Sequence, residues 1–148
     1  MESGPKDKDQ SEKSPGEIEK LRPRILLAED DESIVSMLVP FLERMKCEVE
    51  HVSNGVLLVE KLSDKGPGYY SLVVTDNNMP GGNGIDAIEQ VREMKDFKDI
   101  PIVFFSTDAI GGPAKQRADK AGAHSIYKTD VVGLFKKIEE LSKTESAS

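Results

Sequence analysis

The sequence predicts an α/β domain in which one five-stranded parallel sheet is covered by helices on both faces, a doubly wound arrangement. Two observations lead to this prediction. Short apolar runs, typical of strands buried on both faces, alternate with longer segments whose apolar residues recur at helical spacing. The chain also has 148 residues, of which 37% are hydrophobic, a size suited to one domain with tails.

The strand candidates are apolar runs of four or five residues, as expected of strands in a parallel sheet. Three are continuous and strongly apolar, and two are more polar. In chain order, strands are predicted at residues 25–28, 48–52, 72–75, 102–105 and 125–128.

A helix candidate follows each strand. Four of these show apolar residues three or four positions apart, the spacing of one helix face. The fourth helix is expected to be short, because Gly111, Gly112 and Pro113 precede it. Asp31 or Ser33 is expected to cap the first helix. The apolar sets are Ile34, Met37, Leu38, Phe41 and Leu42; Val56, Val59 and Leu62; Ile85, Ile88 and Val91; and Leu134, Ile138 and Leu141.

Composition limits the chain's extent and its partners. Residues 1–23 are charged and poor in large apolar side chains, which predicts a disordered tail before a domain at 24–142 and a flexible tail at 143–148. The formal net charge of −7 argues against nonspecific nucleic-acid binding, and no apolar run is long enough to span a membrane. A single cysteine and the absence of an apolar leader favour the cytoplasm.

Polar residues follow four of the predicted strands. The carboxyl ends of parallel strands meet at one edge of the sheet, where ligands of such folds bind. We therefore expect these side chains to converge. They are Glu29 and Asp30 after the first strand, Asp76 after the third, Ser106 and Thr107 after the fourth, and Lys128 at the end of the fifth.

This set of groups suits phosphoryl transfer. Three carboxylates repel one another unless a cation binds, and hard oxygen ligands suit Mg²⁺. One acid can act as a nucleophile toward phosphorus and form an aspartyl phosphate. Mg²⁺ and a lysine ammonium would compensate the charge of the transferred group, and a hydroxyl can bond one of its oxygens.

Four motifs, spanning about residues 24–141, resemble the receiver domain of two-component response regulators of the single-domain, chemotaxis type. They are "ILLAEDDE", "VVTDNNMPGGNG", "IPIVFFST" and "AGAHSIYK". The resemblance implies a flavodoxin-like (βα)₅ fold with strand order 2-1-3-4-5. It implies phosphotransfer from a histidine kinase or histidine phosphotransfer protein, a downstream protein target and a monomer or weak dimer. Enzyme activity is expected only as self-phosphorylation from small phosphodonors and autodephosphorylation.

The resemblance also assigns the metal and acceptor residues. Asp76 matches the phosphoacceptor. Glu29 and Asp30 match the Mg²⁺-binding acid pair, with Asp30 as the direct ligand and Glu29 acting at least partly through water. Asn78 matches the position whose backbone carbonyl binds the metal.

The remaining assignments concern the phosphoryl group and the loop after the acceptor. Ser106 matches the switch hydroxyl, with Thr107 as the alternative, and Lys128 matches the family's lysine. Gly84 is expected to adopt a positive φ angle in the glycine-rich loop. Asn78 and Asp108 match positions that affect how water reaches the acyl phosphate.

Three positions depart from the family pattern. Thr129 follows the lysine, where proline is usual and often cis, so the cis or trans state of this bond stays open. Ser125 occupies the position of a common aromatic switch residue, for which Tyr127 is a weak substitute, and Thr107 replaces a small residue. These changes predict intact phosphate binding with an atypical output.

Two alternative functions remain. One is a receiver-like binding module that no longer uses phosphorylation. The other is a Mg²⁺-dependent phosphatase, which would need a second acid near the nucleophile, where Asn78 stands. His51 and His124 are predicted as surface or partly buried residues without a catalytic role, so the chain is expected to receive phosphate and not to originate it.

Overall fold

The computed structural model describes residues 22–147. Within that range the chain alternates strands and helices, and two short 3₁₀ helices lie at Lys95–Phe97 and Thr107–Ala109. The strands are β1 (Arg24–Ala28), β2 (Glu48–Val52), β3 (Leu72–Thr75), β4 (Ile102–Ser106) and β5 (His124–Tyr127). The helices are α1 (Glu32–Arg44), α2 (Gly55–Lys65), α3 (Gly84–Glu93), α4 (Gly112–Lys120) and α5 (Val131–Ala147).

The five strands form one parallel sheet in the order β2-β1-β3-β4-β5, which confirms the predicted fold class and strand order. In the register, Ala28 lies opposite both Val52 and Thr75, and Thr75 lies opposite Phe104. The central strands therefore end at nearly the same level. Residues that follow them are brought to one edge of the sheet.

Two buried clusters cover the two faces of the sheet. Side chains alternate across a strand, so Leu26 belongs to one cluster and Leu27 to the other. The first cluster includes buried residues of α2, α3 and α4, and the second includes buried residues of α1 and α5. Cys47, at the corner between α1 and β2, is 5% exposed and lies in the second cluster.

The helix starts follow local sequence chemistry. Asp31 caps α1, because its carboxylate accepts the backbone N–H of Ser33 at 2.9 Å. Helix α4 has only nine residues, as expected of a short helix, and Ala118 is its one fully buried side chain. Gly111 and Gly112 precede and open α4 with φ angles of 62° and 84°.

The chain ends differ from expectation in one respect. Helix α5 runs to Ala147, into the segment predicted as a flexible tail, and residues 142–147 contain neither proline nor glycine. Residues 1–21 of the predicted N-terminal tail and Ser148 lie outside the described residues, and the tail and domain limits stay predictions. Across residues 22–147, no helix combines the length and apolar character needed to cross a bilayer.

Candidate functional site

Backbone hydrogen bonds place the acids at the carboxyl edge of the sheet. The N–H of Glu29 donates to the carbonyl of Val52 at 3.0 Å, and the N–H of Asp76 donates to the carbonyl of Ala28 at 3.0 Å. The parallel pairing thus continues one residue past the strand ends. Because both acids begin from hydrogen-bonded backbone, their carboxylates are directed into the same region.

Glu29, Asp30 and Asp76 form the expected acid cluster. One carboxylate oxygen from each residue lies within 4.8 Å of the other two. Glu29 is buried, Asp76 is partly buried and Asp30 is exposed. Three oxygen donors that are open to solvent on one side fit Mg²⁺, which binds few protein carboxylates and keeps several waters. The donor set therefore fits the metal that the sequence implied.

Lys128 contacts two of the three acids. Its Nζ lies 2.8 Å from Oε1 of Glu29 and 2.8 Å from Oδ2 of Asp76, with its side chain only 16% exposed. The Lys128–Thr129 bond is trans, since the peptides of residues 22–147 include no cis bond. The lysine thus reaches the acid cluster without the cis junction that is common in the family.

Burial and ion pairing shift the pKa values of Glu29 and Lys128. Burial raises the pKa of Glu29 above its usual range, and the hydrogen bonds from Lys128 and the Asp31 N–H offset this only in part. Burial lowers the pKa of Lys128, but the hydrogen bonds to Asp76 and Glu29 and the negative charges of these two carboxylates together outweigh it, so the net pKa is raised. Lys128 therefore stays charged at neutral pH.

The loop after Asp76 packs against Asp76 itself. One Asp76 oxygen, Oδ1, accepts the N–H of Asn77 at 2.7 Å, and the Thr75 hydroxyl donates to the Asp76 carbonyl at 2.8 Å. A β-carbon at Gly84 would overlap that same carbonyl oxygen. The first turn of α3 thus lies directly against the backbone of Asp76.

The expectation for Gly84 was wrong in its reason. Gly84 is not among the residues with positive φ, whereas Gly81 and Gly82 in the same loop have φ angles of 93° and 155°. The positive φ angles of this loop are therefore two and three residues earlier, at Gly82 and Gly81. Glycine is required at Gly84 because of the close approach to the Asp76 carbonyl.

Ser106 ends β4 as a fully buried residue. Its Oγ accepts the N–H of Asp108 at 3.0 Å and so caps the short 3₁₀ helix Thr107–Ala109. A serine hydroxyl that accepts one bond can still donate its proton to a ligand. Thr107, the alternative hydroxyl, is exposed.

Asn77 is a site residue that the sequence did not single out. It is 7% exposed, and its side chain bonds Asp108 through Nδ2 and the Ile85 N–H through Oδ1. Asn78 is exposed and its amide also donates to Asp108, while no described contact places its carbonyl, so its metal role stays a prediction. The sequence signal that could have identified Asn77 is an asparagine close after a strand, because Asn and Asp side chains often bond nearby backbone groups.

The structure also places the two histidines and two of the residues that depart from the family pattern. His51 is exposed in β2, as predicted of a surface residue, and its Nε2 lies 2.6 Å from the backbone carbonyl of Glu29. His124 is partly buried in β5, and burial lowers its pKa. The Ser125 hydroxyl is buried without a hydrogen-bond partner, and Tyr127 is 36% exposed.

Known proteins resemble this chain in both sequence and fold. The response regulator receiver domain family matches residues 25–131. Chemotaxis protein CheY1 of Helicobacter pylori is 33% identical over 104 residues, covering 69% of this chain and 81% of that protein. The structure of response regulator TrrA from Thermotoga maritima, in complex with Mg²⁺-BeF, is 25% identical with a TM-score of 0.66, covering 80% of this chain and 98% of that one.

A further relative is much longer than the matched segment. Peroxide stress-activated histidine kinase mak1 of Schizosaccharomyces pombe is 30% identical over 89 residues, which is 58% of this chain. The chain spans only 5% of that protein's length. The similarity thus concerns one segment of the kinase.

Proposed function

Because the chain belongs to the response regulator receiver domain family, we propose that it accepts a phosphoryl group on Asp76 from a histidine kinase or histidine phosphotransfer protein, with Mg²⁺ as cofactor. The observation that carries the proposal is the position of Lys128, whose ammonium contacts both Asp76 and Glu29 beside the three-acid cluster. Receiver domains are generally signalling domains, so the phosphorylated form would act by contacting a downstream protein or by passing the group on.

The proposed metal ligands are the carboxylates of Glu29, Asp30 and Asp76 and the backbone carbonyl of Asn78. When bound, Mg²⁺ would neutralise charge on the oxygens of the transferred group. Glu29 is held in place from two sides, by Lys128 and by the Asp31 N–H at 3.1 Å. The protein therefore presents a preorganised set of oxygens to the cation.

In the transfer step, an Asp76 carboxylate oxygen attacks phosphorus and the phosphorus–nitrogen bond of the phosphohistidine breaks. The electron pair of that bond stays on the imidazole nitrogen of the donor. Lys128 stabilises the charge that develops on the phosphoryl oxygens, and Ser106 donates its hydroxyl proton to one of them. The Asn77 N–H orients the acceptor through its bond to Asp76 Oδ1.

The direct test is phosphorylation by a small donor. Incubation with acetyl phosphate and Mg²⁺ is expected to add one phosphoryl group to the wild type, seen by intact mass, and chelation of Mg²⁺ should prevent it. Asp76→Asn is the matched control, since it keeps the shape and removes the nucleophile. If the wild type gains no Mg²⁺-dependent mass, or if Asp76→Asn gains as much, the proposal is wrong and a phosphorylation-independent binding module is favoured.

A second expected result concerns the exposed acid. Asp30→Ala should weaken Mg²⁺ binding by about tenfold or more, because a charged ligand is lost, while the fold remains since Asp30 is exposed. Titration of Mg²⁺ followed by amide NMR measures the affinity, and urea unfolding measures stability. Asp31→Ser removes the same charge next door but keeps a capping oxygen, so its Mg²⁺ affinity should change much less. Equal losses in the two variants would contradict a direct role for Asp30.

A further inference from the structure

We infer that Asn77 is a positioning residue. It holds Asp108, in the 3₁₀ helix Thr107–Ala109, and through Asp108 it fixes the Ser106 hydroxyl for the phosphoryl group. The inference rests on the proposed function of Asp76 and adds a residue to it. Asn77 would not touch the phosphoryl group through its side chain. It would act by joining the loop after β3 to the turn after β4.

Asn77 makes hydrogen bonds through both its backbone and its side chain. Its backbone N–H donates to Asp76 Oδ1 at 2.7 Å, and its carbonyl accepts the Gly84 N–H at 2.8 Å. Its side-chain Oδ1 accepts the Ile85 N–H at 3.0 Å, and Nδ2 donates to Asp108 Oδ2 at 2.9 Å. A buried amide with both ends bonded has one defined orientation. Asn77 therefore fixes the acceptor, the start of α3 and the Asp108 carboxylate together.

Asp108 connects Asn77 to the Ser106 hydroxyl. Oδ2 of Asp108 accepts both amides, from Asn77 and from Asn78, each at 2.9 Å. The backbone N–H of Asp108 donates to Ser106 Oγ at 3.0 Å. Fixing the carboxylate fixes the turn that carries this N–H. One lone pair of Ser106 Oγ is then occupied while its proton remains available to a phosphoryl oxygen.

A purely structural role would follow a different pattern. If Asn77 served only to start α3, the Ile85 bond would carry its effect, and the identity of residue 108 would not matter. The two ends of the same amide instead bond two different elements, α3 and the turn after β4. The effect of changing Asn77 should therefore depend on whether Asp108 is present.

A double-mutant cycle tests this dependence. The variants are Asn77→Ala, Asp108→Ala and the two combined, with Ile138→Val in the buried cluster of α1 and α5 as a control for general destabilisation. We expect each single variant to slow phosphoryl transfer from acetyl phosphate by about fivefold or more, and the double variant to lie within about twofold of the slower single. The Ile138→Val rate should match the wild type.

A second readout needs neither a phosphodonor nor Mg²⁺. In Asn77→Ala, the backbone amide resonance of Asp108 should shift relative to the wild type, since its bond to Ser106 Oγ loosens. Multiplicative rate losses, or rate and resonance unchanged from the wild type, would overturn the inference. If the wild type accepts no phosphoryl group, the proposed function fails by itself. The Asp108 amide resonance of Asn77→Ala then tests the inference. A resonance that matches the wild type refutes the inference, and one that differs from the wild type supports it.

Discussion

Gly84→Ala is expected to lower the free energy of unfolding by more than about 3 kcal/mol, which is a large fraction of the stability of a domain this size. The added β-carbon would overlap the backbone carbonyl oxygen of Asp76. Backbone atoms cannot move aside as a flexible side chain can. Relief would require α3 to shift, which would break the bonds that Asn77 makes to the N–H groups of Gly84 and Ile85.

Urea unfolding followed by circular dichroism measures the expected loss. The matched control is Gly111→Ala, because a β-carbon there would meet no atom within 4 Å. Its cost should come only from the φ angle of 62°, about 1–2 kcal/mol. Similar losses in the two variants would show that the contact with Asp76 does not decide the stability.

Lys128→Met is expected to slow phosphoryl transfer to Asp76 by about a hundredfold or more while tightening Mg²⁺ binding severalfold. The two effects have opposite signs because Lys128 has two relationships to the cluster. Toward a phosphoryl group it supplies positive charge that the methionine lacks. Toward Mg²⁺ it competes, since its Nζ occupies carboxylate oxygens of Glu29 and Asp76.

The same variant should depend more on Mg²⁺ for its stability. Without Lys128 the buried Glu29 carboxylate loses its cationic partner, which is costly unless another cation binds. Thermal unfolding with and without Mg²⁺, transfer from acetyl phosphate and Mg²⁺ titration provide the three measurements. Lys115→Met, which removes an exposed ion pair with Asp119, should change none of them appreciably. Weaker Mg²⁺ binding in Lys128→Met would contradict the competition.

The sheet could be predicted from the sequence because its central strands are buried on both faces. Leu26 and Leu27 face opposite clusters and are both fully buried, so the run that contains them carries no polar residue. Once the strands were placed, parallel topology alone brought Glu29, Asp76 and Lys128 to one edge. Their convergence needed no knowledge of side-chain contacts.

Three features of the site could not be predicted, because they depend on distances between residues that the sequence does not encode. The bond between Asn77 and Asp108 joins residues 31 positions apart, and no periodicity indicates it. Gly84 was recognised as a special position, but its motif could not distinguish a left-handed φ angle from a close backbone approach. The contact of His51 with the Glu29 carbonyl follows from the β1–β2 register, which the apolar pattern does not specify.

The burial of Cys47 has a practical consequence. It is the only cysteine of the chain, it is 5% exposed, and burial raises the pKa of its thiol. A thiol-specific reagent can then label the protein at one site only, and only when the corner between α1 and β2 opens. The labelling rate therefore measures local opening on the α1 and α5 side of the sheet. Labelling rates measured with and without beryllofluoride would show whether occupation of the acid cluster changes the local opening on the α1 and α5 side. No engineered probe is needed.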